Sequence, residues 1–205
     1  QEWYALPATH GANGFASPTP TSDGKRVYVL YGTGVAAAYE LDGKRCWIKF
    51  FEKPINGWGH SASPLLADGK LILHIRTVFA LDPATGNEIW KTPSPEHWGS
   101  PILAHVGKIP VVVTAHGDIL RGSDGVKLAD KIFPLTYCAP LNIGNRLYFI
   151  ENNGKCVELP AEIVSNRAPP RLAWTTTPKA ERYYASPLYH DGLIYAVMQH
   201  GHLSV

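Results

Sequence analysis

The eleven residues from Ala80 to Trp90, Ala-Leu-Asp-Pro-Ala-Thr-Gly-Asn-Glu-Ile-Trp, read as the end of one β-strand, a tight turn and the start of the next. Leu81 leaves a strand, Asp82-Pro83 opens the turn, Gly86 supplies the positive φ that closes it, and Ile89-Trp90 resumes the extended run. The constraint on the fold is that this offset between turn and aromatic recurs. Ala38 to Trp47 repeats it one residue shorter around Asp42-Gly43. Leu120 to Ala129 repeats it around Gly122-Ser123-Asp124-Gly125, with Ala129 where the Trp should stand. A fourth copy ends at Trp174 after an insertion, and Gln1-Glu2-Trp3 reads as the tail of a fifth.

A second signal alternates with the first. Ser17-Pro18, Ser63-Pro64, Ser100-Pro101, Ala139-Pro140 and Ser186-Pro187 each precede a short apolar strand, and Asp23-Gly24, Asp68-Gly69 and Asp191-Gly192 turn such a strand back. A period of roughly 40 residues holding four short strands is what one propeller blade needs. The reading is therefore all-β: a β-propeller of four-stranded antiparallel blades, about four to five in number. Their approximate limits are 16–50, 63–92, 100–131, 138–176 and a partial 185–205. Predicted strands include Ala16–Thr21, Val35–Leu41, Asp118–Ser123, Val126–Lys131 and Leu193–Gln199. No helix is expected outside the excursion Ala161–Pro170, a surface excursion or one short turn. Both ends fall in mid-repeat, so the chain is expected to be a single segment of a larger ring.

The pattern Ala-x-Asp-x-x-Thr-Gly-x-x-x-Trp, matched in full by Ala80, Asp82, Thr85, Gly86 and Trp90, resembles the tryptophan-docking repeat of the pyrroloquinoline-quinone-type β-propellers. That family includes quinoprotein alcohol dehydrogenases and a cofactor-free propeller lipoprotein of the outer-membrane barrel-assembly machinery. The resemblance spans nearly the whole chain and implies a periplasmic or extracytoplasmic location. It also implies that Trp47, Trp90 and Trp174 lie between adjacent blades, each ring burying a large area with its N–H on a backbone carbonyl. Fold alone does not choose between enzyme and scaffold.

A formal charge of +2 with interspersed signs offers no basic face interleaved with aromatics, which sets nucleic acid aside. No apolar run approaches membrane-spanning length, and no charged-then-apolar leader precedes Gln1. Cys46, Cys138 and Cys156 are odd in number and lack Cys-x-x-Cys spacing, so free thiols are the simplest reading. Cys138 and Cys156 would sit two strand spacings apart in one blade, beyond disulfide reach.

Chemistry, if any, belongs to the crossing loops. His10, His60 and His97 precede successive first strands, and His74, His116, His200 and His202 fall near turns expected on the same face. Such a ring could bind a metal or move protons. The simpler reading is that these histidines satisfy backbone groups at strand ends, since no His-Glu-x-x-His spacing occurs. Enzymatic members of the resembled family imply a vicinal Cys pair and a calcium-binding Glu/Asn/Asp set, and no Cys-Cys pair occurs here. The favoured reading is a non-catalytic scaffold without cofactor or metal, binding a protein or peptide through a loop face. Its candidate residues are His10, Trp58, His60, His97, Trp98, Tyr183 and Tyr184. The remaining blades, from this or another chain, would be further partners. One alternative is a quinone- or metal-dependent dehydrogenase using pyrroloquinoline quinone and calcium, with part of its site outside this segment. The other is a carbohydrate-binding propeller using Trp58, Trp98, Tyr183 and Tyr184.

Overall fold

Short runs of β-branched and aliphatic residues, broken every few positions by Asp-Gly or Thr-Gly, form strands that can only pair with their immediate neighbours. The computed structural model, which describes residues 14–54, 58–177 and 182–205, shows this outcome. Every sheet is an antiparallel meander, and no helix occurs among the described residues. The chain divides into two compact units, residues 1–96 and 97–205.

The first unit holds two four-stranded sheets. One runs β1 (Thr21–Ser22), β2 (Arg26–Leu30), β3 (Val35–Glu40), β4 (Arg45–Phe50); the other runs β5 (Leu65–Ala67), β6 (Lys70–His74), β7 (Thr77–Leu81), β8 (Glu88–Pro93). Tyr28, Leu30 and Ala38 of the first sheet pack with Leu71, Leu73, Phe79 and Leu81 of the second, and Trp47 joins this core. The middle strands are apolar nearly throughout because both of their faces are covered. Strand β1 is shorter than the predicted Ala16–Thr21. Pro18 and Pro20 have no N–H to give the ladder, so pairing begins only at Thr21.

The second unit holds a four-stranded sheet of β9 (Ile102–Val106), β10 (Ile109–Val113), β11 (Ile119–Arg121) and β12 (Lys127–Ala129). A second sheet has β13 (Leu141–Ile143), β14 (Arg146–Ile150), β15 (Gly154–Glu158) and β16 (Arg171–Thr176). A third has β17 (Leu188–His190), β18 (Leu193–Val197) and β19 (Leu203–Ser204). Strand β12 stops short of the predicted Lys131. The buried Asp118 carboxylate accepts the Lys131 N–H at 3.0 Å, and Lys131 takes a positive φ of 48° that ends the extended run.

Each four-stranded sheet carries the same irregularity in its outer hairpin. Ala38, Ala80, Ile119 and Cys156 pair with Trp47, Trp90, Ala129 and Trp174, and the register then slips by one residue. Such a bulge re-aims the side chain beside it. The first Trp shows the result within the first unit. Trp47 is 7% exposed, its indole N–H donates to the Pro83 carbonyl at 3.0 Å, and its ring lies over Gly86. A Cβ at Gly86 would stand 2.7 Å from that ring, and its φ of 66° suits glycine as well. Asp82 holds this turn, accepting from the Thr85 N–H at 2.8 Å and the Thr85 hydroxyl at 3.0 Å. Those bonds keep its carboxyl below the usual carboxylate range.

The copies differ where the sequence differs. Ala129 has no ring to insert, and the turn between β15 and β16 is replaced by the excursion. There Val164 and Arg167 pair around Ser165 and Asn166, both at positive φ. The excursion docks on the outer hairpin of the β9–β12 sheet: the buried Ala168 donates its N–H to the Leu128 carbonyl at 3.0 Å, and Arg121 donates to the Asn166 side chain at 2.9 Å. Trp174 is 38% exposed and rests on Tyr148 at 6.0 Å. Trp90 is 8% exposed and Ala80 fully buried.

Candidate aromatic binding surface

Counting back from each Ser-Pro or Ala-Pro pair aligns the crossing loops. Three residues before the Ser or Ala stand His60, His97, Thr136 and Tyr183; two before stand Ser61, Trp98, Tyr137 and Tyr184. Successive residues of an extended segment point to opposite sides, so one set turns inward when the other turns out.

In the second unit the outward set makes a continuous row. Trp98 stacks on Tyr137 with centroids 5.4 Å apart and 21° between planes, and Tyr184 meets Tyr137 edge-on at 4.8 Å. Tyr184 is 47% exposed, while Trp98 and Tyr137 are half-buried. Gly99 permits the close approach: a Cβ there would lie 2.0 Å from the Cys138 carbonyl oxygen. The Trp98 backbone N–H donates to the Thr136 carbonyl at 3.1 Å and ties the two loops together. From below, the buried Glu151 carboxylate accepts the Thr136 and Tyr137 N–H groups at 2.6 and 2.8 Å. At the open end Arg182 donates to the Tyr184 hydroxyl at 3.3 Å.

The inward set lies beneath. His97 meets His116, with Nε2 of one 3.0 Å from Nδ1 of the other. Burial first, and His116 second, lower the pKa of His97 below its ordinary value. Cys138 is buried with its thiol directed at the Tyr183 and Ala185 carbonyls, and burial pushes it up to about 12. A thiol so placed is chemically inert.

The expected sites are thus partly regrouped. Tyr183 is fully buried, and its hydroxyl has no hydrogen-bond partner. In the first unit His60 is 1% exposed; its Nδ1 lies 3.9 Å from Glu96 Oε1, and neither ring nitrogen has a hydrogen bond. As surface-facing groups these two are corrected: both occupy the inward register. Trp58 is 49% exposed on its own loop, and His10 lies outside the described residues. The anticipated ring of imidazoles reduces, within the second unit, to the His97–His116 pair. His74 in the first unit is buried against the Ser94 carbonyl. Among the described residues, no three His, Cys, Asp or Glu side chains gather as a metal-ligating group. Tyr137 and Arg182 were not singled out from the sequence. The offset before Ala139-Pro140 would have found Tyr137, whereas nothing local marks Arg182.

A family model described as outer membrane protein assembly factor BamB matches residues 8–205. The chain belongs to the BamB family. BamB from Moraxella catarrhalis is similar at 14% identity with a TM-score of 0.66, over 98% of this chain and 61% of that one. The quinohemoprotein alcohol dehydrogenase from Comamonas testosteroni is similar at 13% identity with a TM-score of 0.57, over 91% of this chain and 40% of that one. At such identities the BamB likeness is one of fold, the PQQ-type repeat of a β-propeller. The chain spans about three-fifths of the Moraxella protein's length. No curated protein matches it.

Proposed function

We propose that this BamB-family chain is a non-catalytic scaffold that binds a protein partner through its crossing loops, outside the cytoplasm, in the assembly of outer-membrane proteins. The observation that carries the reading is the Trp98–Tyr137–Tyr184 row. Packing inside a sheet does not require aromatic residues at this offset, yet three consecutive repeats of the second unit place one there, in mutual contact and reaching solvent at Tyr184. Aromatic rings with a polar tip are the residues that dominate protein interfaces. The groups beneath are arranged for structure, since Glu151 is spent on backbone N–H groups and Cys138 is held as a thiol. No cofactor enters the reading.

A photo-crosslinking residue at Tyr184 in the full-length protein, tested in intact cells, is the direct test. Protein adducts at Tyr184 and none at Asp68, in the turn between β5 and β6, are expected. Adducts at Asp68 alone would place the working surface elsewhere.

A further inference from the structure

Beneath the aromatic row two imidazoles meet edge to edge. His97 Nε2 lies 3.0 Å from His116 Nδ1, and the rings are tilted by 43° with centroids 5.0 Å apart, so the two nitrogens face each other across a hydrogen bond. There is room for one hydrogen between them. Two uncharged rings meet that condition, one donating and the other accepting. A first added proton goes to an outward nitrogen and leaves the bond in place. A second puts hydrogen on both inner nitrogens. Donor then faces donor, cation faces cation, and the contact is lost.

The groups around the pair do not offset this. Asp118 acts on His97 from the turn between β10 and β11, Glu151 from the turn between β14 and β15, and the Leu135 carbonyl from the loop after β12. All three favour a charged ring, but burial and His116 outweigh them and hold His97 below its ordinary value. Both carboxylates are already engaged: Glu151 by the Thr136 and Tyr137 N–H groups, Asp118 by the Lys131 N–H and by the Lys127 ammonium at 2.9 Å. Cys138, which also faces Glu151, stays an uncharged thiol.

The two partners are anchored differently. His116 stands in a turn closed by the Gly117 N–H on the Thr114 carbonyl at 2.9 Å and by the Thr114 N–H on the Asp118 carbonyl at 3.0 Å. The Ile132 and Leu135 N–H groups brace the same turn from outside, at 3.0 and 2.8 Å. His97 opens residues 97–101, which belong to no strand, and Trp98 follows it directly. Movement therefore falls on His97 and carries Trp98 with it. We propose that the His97–His116 pair is a pH-operated latch: closed, it seats Trp98 on Tyr137, and the second added proton opens it and splits the aromatic row. Resting on the protein-binding reading above, acid then releases the partner.

Nitrogen-15 NMR of the full-length protein, labelled at histidine and tryptophan and titrated from about pH 7.5 to about 4.5, tests the latch. The pair should titrate in two steps at least about one pH unit apart, with the Trp98 indole signal moving on the second step only. In His116→Gln, which keeps a hydrogen-bonding side chain without the charge, His97 should titrate in one step while Trp98 stays still. His97→Gln should hold Trp98 still as well, and His190→Gln, at an exposed site, should leave the parent pattern intact. Far-ultraviolet circular dichroism follows the fold throughout. The inference is overturned if the Trp98 signal stays put once both rings are charged, or if it moves equally in both latch variants. A pair that never takes its second proton before the protein unfolds overturns it too. The parent titration decides even where a Gln variant fails to fold. Because no partner enters the readout, these failures leave the scaffold reading standing, and that reading falls only on its own crosslinking test.

Discussion

Trp47 is 7% exposed beneath the Pro83–Gly86 turn, with its indole N–H on the Pro83 carbonyl. Truncating Trp47 to Ala removes a buried ring and leaves the Pro83 carbonyl without its donor, so a loss of about 3–5 kcal/mol is expected. Urea unfolding with linear extrapolation measures it, and a near-zero change would show that the Trp47 ring is not buried. His97 gives a pH signature. Its folded pKa lies below the ordinary 6.5, so near that value the unfolded chain binds more protons than the folded one. The stabilisation is complete above about pH 6.5 and is lost as pH falls through the folded pKa. Melting temperature should therefore decline from pH 7 toward pH 5, and His97→Gln should flatten that decline. A His97→Gln variant whose melting temperature falls with pH as steeply as the wild type's would show that His97 contributes nothing to the decline.

The hairpin and the crossing loop are the elements in which local chemistry and neighbours meet. Asp82, Thr85 and Gly86 satisfy one another within a few residues, and for that reason their turn could be read from the chain alone. The bulges before Trp47, Trp90, Ala129 and Trp174 could not, since an extra residue shows only against the partner strand's register. Loss of the Trp at Ala129 and growth of the 161–170 excursion look unrelated in sequence, yet Ala168 bonds to Leu128 immediately before Ala129. Ala129→Trp alone should destabilise. Combined with replacement of the excursion by an Asp-Pro-Ala-Thr-Gly turn, it should be partly rescued, and a double-mutant cycle of unfolding energies measures the coupling. Strict additivity would deny that the two are linked. In the crossing loops, Gly99→Ala sets a Cβ against the Cys138 carbonyl. A loss of about 1–3 kcal/mol is expected from such overpacking, with a changed near-ultraviolet circular dichroism as Trp98 and Tyr137 separate.

For the whole molecule, the scaffold reading makes a plain claim about chemistry. Added pyrroloquinoline quinone and calcium should give neither a bound chromophore nor a higher melting temperature, and either result would favour the dehydrogenase alternative. Architecture was legible because a repeated period restates the same turn chemistry several times, and β-meanders need only neighbouring segments to pair. From sequence alone came the all-β repeat, the offset of its tryptophans, most strand positions and the turns, all fixed by backbone preferences over a few residues. The tertiary structure decided which loop residues form a surface. His60 and Tyr183 stand in loops whose composition suggests exposure and are buried, whereas Tyr137, unremarkable in sequence, stands at the centre of the aromatic row. The physical reason is that burial and ring contact depend on what faces a residue from a repeat away. Here that is set by the alternation of side chains along each loop and by the Gly99 backbone lying against Cys138.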